Sequence, residues 1–326
     1  MKIAVDAMGG DLGPKEIVKG AVEAAQRGTH IILVGDEGVI EPLLEDYSAN
    51  SHVSVVHAPE VIGFAESPTR AVKRKHHSSI VAGIDLVKKG GASAFVSAGS
   101  TGAVVSAAIL NLGRLRGVPR PALAVLFPTM EGTALVLDIG ANSDCKPQFL
   151  VGFAHLGHTY AANALRIPHP RVGLLSNGEE SVKGNRLVRQ AHKILEGSKL
   201  NFIGNVEGKD IVRGIADVVV TDGFTGNTVL KAIEGFGELI FQMLKRSLNG
   251  RSPSSMPSSA GSLSSAAFKM VVEDMTKRLD WSEHGGAILL GVKGSVVVAH
   301  GRSSAKAITN AIRMARVAAD RLPDLN

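Results

Sequence analysis

The chain has 326 residues, of which 44% are hydrophobic, 20% charged and 4% aromatic, and it carries a formal net charge of +6. So apolar a composition excludes wholesale disorder, and so few aromatics mean a core of Ala, Val, Leu and Ile, the usual filling of a sheet covered by helices. The single cysteine, Cys145, excludes an internal disulfide. The opening "MKIAVDAMGGDLGP" lacks the apolar stretch of a signal peptide, and no apolar run reaches the eighteen or so residues of a spanning helix, so a cytoplasmic protein is expected. The positive charge suits acidic partners, but nucleic acid is not expected, because the basic residues are not interleaved with stacking aromatics and no zinc or helix-turn-helix signature occurs.

In chain order the short apolar strands are "KIAVDAM", "HIILVG", "VSVVHA", "SAFVSAG", "ALAVLFP", "TALVLDIG", "RVGLLSNG", "NFIGNV", "ADVVVTDG" and "SVVVAHG". Helical periodicity appears over Pro14–Arg27, Val182–Leu195, Asn227–Leu248 and Ser304–Arg321. Alternation of this kind predicts a largely parallel sheet with helices on both faces, in one α/β catalytic domain over 1–326. One region departs from it. "SLNGRSPSSMPSSAGSLSS" is rich in Ser, Pro and Gly, and the segment after it places Phe268, Val271, Val272, Met275 and Leu279 at helical spacing. A helix-loop-helix tip is therefore expected at about 240–280, within the domain.

Several strands end in a small polar cluster: "DAMGGD" at Asp6, "SAGSTG" at Ser97, "DIGANSD" at Asp138, "SNGEES" at Ser176, "TDGFTGN" at Thr221 and "AHGRSS" at His300. Ligands of open parallel sheets bind beyond the carboxyl ends of the strands, so these six clusters are expected to converge on one cleft. Glycine-rich joins leave N–H groups unpaired at a helix start, which suits an anion. In "SAGSTGA" the residues Gly99, Ser100, Thr101 and Gly102 would aim neutral donors at an oxyanion, or else only permit close helix packing. Asp6 and Asp11 flank Gly9 and Gly10, and as carboxylates near an anion they fit better as orienters of donors than as direct contacts.

The familiar phosphate motifs G-x-x-x-x-G-K-[ST] and G-x-G-x-x-G are absent after any strand, as is H-E-x-x-H. Neither a metal nor a nicotinamide cofactor is expected, and Cys145 has no cysteine partner for a zinc site. A different class of enzyme competes. Ala98-Gly99-Ser100-Thr101-Gly102 is an alanine variant of the G-x-S-x-G elbow, and Asp222 and His300 follow at strand ends in the order of a serine hydrolase. Against this, Ser100 has the position of a helix N-cap.

The strings "AVDAMGGDLGP", "VSAGSTGA", "LVLDIGANSDCKPQFL", "LLSNGEESVKGN", "ADVVVTDGFTGNTVLKAIEG" and "EHGGAILLGVKGSVVVAHGRS" closely resemble the bacterial phosphate acyltransferases of phospholipid synthesis, the PlsX family. That resemblance implies a three-layer α/β/α sandwich like that of isocitrate and isopropylmalate dehydrogenases, with a protruding helical tip, and a homodimer. It implies transfer of a fatty acyl group from acyl-acyl-carrier protein to orthophosphate. Phosphate is then itself the nucleophile, and the site need only hold it in line and stabilise the oxyanion. On this reading Lys183 supplies positive charge to phosphate or oxyanion, Asn227 donates an amide hydrogen, and His300 protonates the departing thiolate. Asn142 donates to substrate, Asp144 orients a cation, Arg120 guides phosphate or the carrier's arm, and Asp222 lies with the substrate. The carrier protein is acidic, which gives Lys73, Arg74, Lys75, Arg114, Arg116 and Arg120 a use in docking. The resemblance also implies a peripheral membrane contact through 263–279, although a serine-rich loop with Arg251 as its one cation departs from the pattern, and the apolar stripe serves a dimer core equally well.

Overall fold

The structure, a computed structural model, describes residues 1–47, 52–249 and 285–321. All the expected strands form: β1 (Lys2–Asp6), β2 (His30–Gly35), β3 (Val53–His57), β4 (Ala94–Ser97), β5 (Ala122–Thr129), β6 (Gly132–Leu137), β7 (Val172–Leu175), β8 (Phe202–Val206), β9 (Val218–Val220) and, last, β11 (Ser295–Val298). Between β9 and β11 lies β10 (Ala287–Leu290), a four-residue run without alternation that the sequence pattern does not separate from its surroundings. The helices are α1 (Gly13–Gln26), α2 (Glu37–Glu45), α3 (Pro68–Arg74), α4 (Ser79–Lys88), α5 (Thr101–Ala107, continued by a π-helical turn Ala108–Leu112), α6 (Pro147–Asn163), α7 (Arg186–Glu196), α8 (Gly208–Arg213), α9 (Gly223–Asn249) and α10 (Ala305–Arg321). The tip expected at about 240–280 falls mostly on 250–284, outside the described residues, together with the amphipathic stripe from Phe268 to Leu279.

Among the described residues eleven strands form one sheet, in the order β3-β2-β1-β4-β11-β10-β5-β6-β9-β7-β8. Its two faces are covered separately. Ile17, Val18, Ala21 and Val22 of α1, Leu150 and Phe153 of α6 and Ile308 and Ile312 of α10 pack on one face, with Leu33, Leu135 and Val297. On the other, Ile80 and Ile84 of α4 and Val104 of α5 meet Phe95, Leu123 and Val296, and Val229, Leu230 and Ile233 of α9 join them. This is the three-layer sandwich, with mostly parallel pairing.

The sheet contains a reversal that overturns the single-cleft expectation. β1, β2, β3, β4 and β11 run parallel, β10 is antiparallel to both β11 and β5, and β5 is antiparallel to β6. β6, β9, β7 and β8 are again mutually parallel and so point opposite to β1. The clusters after β1, β4 and β11 therefore leave one edge of the sheet, and those after β6, β7 and β9 leave the other. The β5–β6 turn had announced this, since Met130 and Glu131 alone separate the strands and so short a link cannot cross over to a parallel partner.

Candidate active site

At the first edge the three loops lock together through backbone contacts. A Cβ on Gly9 would lie 2.5 Å from the amide nitrogen of Gly99, so only glycine lets the β1 and β4 loops touch. The Asp11 N–H donates to the carbonyl of Gly301 at 2.6 Å, which ties in the β11 loop beside Gly10. Beneath them Asp6 is fully buried, with no cation paired to it among the described residues. Its Oδ2 accepts the Ser97 hydroxyl at 2.6 Å, its Oδ1 accepts the Met8 N–H at 3.1 Å, and the Ser97 Oγ in turn accepts the Gly99 N–H at 3.0 Å. Asp6 thus positions the loop, and Ser97, which the sequence reading did not select, relays its charge.

Burial pushes the Asp6 carboxyl above its ordinary value, while hydrogen bonds from Ser97, Ser79, Met8 and Gly9 pull it back. A folded-state value raised above 3.8 gives stability that is full below 3.8 and lost as pH climbs through the folded value. Ser97→Ala removes one of the bonds that pull it down. Its deficit in urea unfolding should reach about 1–3 kcal/mol at neutral pH and shrink as pH falls through that window; a deficit independent of pH would refute this role.

Ser100 is 8% exposed and stands at the N-cap of α5, but its side chain makes no cap hydrogen bond. Thr101 begins the helix, and Gly102 packs against Pro68 of α3, where a Cβ would come within 2.7 Å of the ring. Gly102 therefore permits the close approach of α5 to α3, the packing role that the sequence leaves open for it. The hydrolase relay also fails. His300 Nδ1 accepts the Arg302 N–H at 3.1 Å and so has no proton to give a carboxylate, while Asp222 spends both oxygens on Thr225, accepting its N–H at 2.9 Å and its hydroxyl at 2.7 Å. Asp222 caps α9, at the sheet edge opposite Ser100.

The organiser of the second edge is Asp138, a buried carboxylate missing from the sequence-based selection. Its Oδ1 accepts N–H groups from Leu123 (2.9 Å), Gly140 (3.2 Å) and Ala141 (3.0 Å), and its Oδ2 accepts the Asn142 N–H (2.7 Å) and side-chain amide (2.8 Å). Asn142 spends its remaining amide proton on the Pro121 carbonyl at 2.8 Å, so it braces the loop and has none left to donate to a substrate. Asp144 is exposed in the same loop, and Arg120 lies over the Phe149 ring, 5.8 Å from its centroid. Burial and the neighbouring Asp138 push the Cys145 thiol up to about 12, which keeps it from acting as a nucleophile.

Lys183 rides on the loop after β7. Asn205 donates to the Glu180 carbonyl at 2.8 Å and the Gly184 N–H to Asn177 Oδ1 at 2.9 Å, which pins the loop and leaves Lys183 exposed. Asn227 is exposed on the first turns of α9, and its amide carbon lies 4.0 Å from where a Cβ on Gly140 would be. Four residues on, and so on the same side of the helix, Lys231 Nζ lies 3.2 Å from His300 Nε2 and 2.6 Å from Glu234 Oε2. From Gly223 to Lys231 the helix rises about 12 Å, roughly the length of a four-residue strand. Helix α9 thus starts at one edge and carries Lys231 to a loop of the other. Burial first, and then the Lys231 charge, hold His300 below its ordinary value. In each set of loops one hydroxyl, Ser176 Oγ and Ser303 Oγ, is buried without a hydrogen-bond partner among the described residues.

The folds of solved structures agree with this architecture. A phosphotransacetylase from Streptococcus pyogenes superposes with a TM-score of 0.64 at 19% identity, over 98% of this chain and 94% of that one. A 4-hydroxythreonine-4-phosphate dehydrogenase from Klebsiella pneumoniae gives a TM-score of 0.57 at 12% identity, over 98% and 97%. Sequence relatives are much nearer. A phosphate acyltransferase from Heliobacterium modesticaldum is 51% identical over 97% of this chain and 93% of its own length, and one from Pelotomaculum thermopropionicum is 48% identical over 97% and 91%. With the family described as "Fatty acid synthesis protein" matching residues 1–323, the chain belongs to that family, the phosphate acyltransferases.

Proposed function

We propose that the protein transfers a fatty acyl group from an acyl-carrier-protein thioester to orthophosphate, giving acyl phosphate for phospholipid synthesis. The observation that carries this reading is the site's inventory of donors without an activated nucleophile. Ser100 has no relay, and Cys145 stays protonated. An anion that is already a nucleophile needs only to be held and aimed. One phosphate oxygen attacks the thioester carbonyl carbon, the tetrahedral oxyanion draws on N–H and lysine donors, and collapse breaks the C–S bond. A thiol ionises near pH 8.5, so the thiolate leaves with little acid assistance, and a His300 held neutral acts as a hydrogen-bond donor in place of the general acid expected from sequence.

The acidic carrier protein would meet the exposed Arg114, Arg116 and Arg120. The run Lys73, Arg74, Lys75 is a weaker surface, because Arg74 and Lys75 both pair with Glu66 at 2.9 and 2.6 Å. The same reading includes a cytoplasmic homodimer with a peripheral membrane contact through 263–279. Phe236, Leu239 and Met243, exposed on one side of α9, support an apolar partner there. Among the described residues no helix is long and apolar enough to cross a membrane.

The purified chain should consume long-chain acyl-carrier-protein thioester with saturable dependence on phosphate and form an acyl phosphate that hydroxylamine traps as the hydroxamate. Thioester cleavage at the same rate in phosphate-free buffer would overturn the assignment.

A further inference from the structure

Two buried polar side chains lie behind the loop that carries Lys183, where burial of polar groups costs free energy unless each is hydrogen-bonded. His192, 7% exposed, shares the buried face of α7 with Val188, Ala191 and Leu195, and Asn205, 5% exposed, stands in β8. His192 Nδ1 lies 2.9 Å from Asn205 Oδ1, and Asn205 Nδ2 donates to the Glu180 carbonyl at 2.8 Å. That carbonyl can only accept. The amide must therefore turn its NH2 toward Glu180 and its oxygen toward the ring, and the ring must carry a proton on Nδ1. Phe202 meets the imidazole edge to face, with centroids 5.1 Å apart, and so braces the ring.

The same Glu180 carbonyl accepts the Lys183 N–H at 2.9 Å, which closes a turn from Glu180 to Lys183. Two residues on, Asn185 caps α7 by accepting the Val188 N–H at 3.0 Å, and the helix returns the chain to the buried pair at His192. The contacts thus form a closed circuit from Glu180 through Lys183, α7, His192 and Asn205 back to Glu180. The Lys183 stem is placed as well, since its Cγ lies 2.7 Å from where a Cβ on Gly178 would be. We propose that His192 and Asn205 are positioning residues for Lys183. The imidazole fixes which way the amide faces, the amide fixes the turn, and the turn fixes where the ammonium meets the phosphate or the oxyanion. That Lys183 is the charge being placed rests on the acyl-to-phosphate reading, and the circuit itself does not. A fully satisfied buried network of this kind specifies one arrangement of the loop, which an apolar contact would leave free to slide.

The test uses the full chain. In long-range proton–nitrogen NMR spectra of the unaltered protein, the neutral His192 ring should carry its proton on Nδ1; a proton on Nε2 alone would overturn the circuit. His192→Phe leaves the Asn205 oxygen without its donor and should lower kcat/KM for the carrier thioester about tenfold, less than the roughly 100-fold that a misplacement of about 1 Å costs. His192→Asn, whose amide N–H falls near the position of Nδ1, should restore most of it. Asn205→Asp sets an oxygen against the Glu180 carbonyl and should cost at least as much as His192→Phe. Each change is repeated in a Lys183→Met background, with urea midpoints to establish that the compared variants are folded. Because the pair acts through the lysine, its effect should vanish there. Equal losses with and without Lys183 would leave the pair a purely structural role and overturn the proposal, as would a Lys183→Met variant of unaltered kcat/KM. Should His192→Phe fail to fold, Asn205→Asp completes the same cycle, and the Nδ1 proton is read without any substitution. Thioester turnover without phosphate in the unaltered protein would instead overturn the reaction, and the cycle, measured on that turnover, would still decide what places Lys183.

Discussion

Gly226→Ala should lower the unfolding free energy by about 3 kcal/mol, the upper end of what overpacking costs, and take most of the activity with it. A Cβ there would lie 2.0 Å from the Asp138 carbonyl oxygen and 2.9 Å from the Thr221 methyl. The carbonyl cannot yield, because the Asp138 N–H is bonded to Thr221 at 3.0 Å and its carboxylate is held by five donors. Alanine's better helix propensity returns only about 1 kcal/mol, so the clash decides the sign. On the same helix Gly235 has nothing within 4 Å of an added Cβ, and Gly235→Ala should stabilise by up to about 1 kcal/mol. Urea midpoints of the pair measure the difference; equal midpoints would mean that α9 is not seated on the Asp138 loop as described.

Asp138→Ala should be the most damaging single change, costing about 4–5 kcal/mol and lowering kcat/KM by about 100-fold or more. It strands the buried Leu123 N–H at the start of β5 and frees the donors of Gly140, Ala141 and Asn142, each worth about 1–3 kcal/mol when left dry and less where water reaches it. The activity loss follows from position. The loop abuts Asn227 and the start of α9, and a misplacement of about 1 Å at a reacting group costs about 100-fold. Asp138→Asn keeps the shape but turns an amide NH2 toward N–H donors, so it should not rescue. Calorimetry and phosphate-dependent turnover of both variants test this, and a fully active Asp138→Asn would remove the carboxylate from its organising role.

Most of the fold can be read from the residues, and so can the loops on which the candidate site stands. Ten strands and the helices α1, α7, α9 and α10 stand out because apolar periodicity and Gly-rich joins are local signals, although α7 begins at Arg186, after its Asn185 cap, and not at Val182. Strand direction is not a local signal, so six clusters that look equivalent in sequence divide between two edges. Asn142 and Asp222 look like ligands because their amide and carboxylate suit one, yet loop bracing and helix capping consume those same groups. Lys231 escapes notice for the opposite reason, since an i,i+3 pair with Glu234 on a helix resembles ordinary surface and nothing in the chain shows that His300, 69 residues away, lies against it.

The strand order has a bearing on how the chain folds during synthesis. β4 and β5 both belong in the middle of the sheet, yet each takes its missing neighbour from the hairpin β10–β11, made about 200 residues after β4 and about 160 after β5. Until the ribosome has released that hairpin, each half presents one bare strand edge, β4 in the first and β5 in the second, and α1 lacks the cover of α10. Truncation upstream of Ala287 therefore removes the keystone shared by both halves and leaves neither as an autonomous unit, so nascent chains stalled there should depend on chaperones to stay soluble.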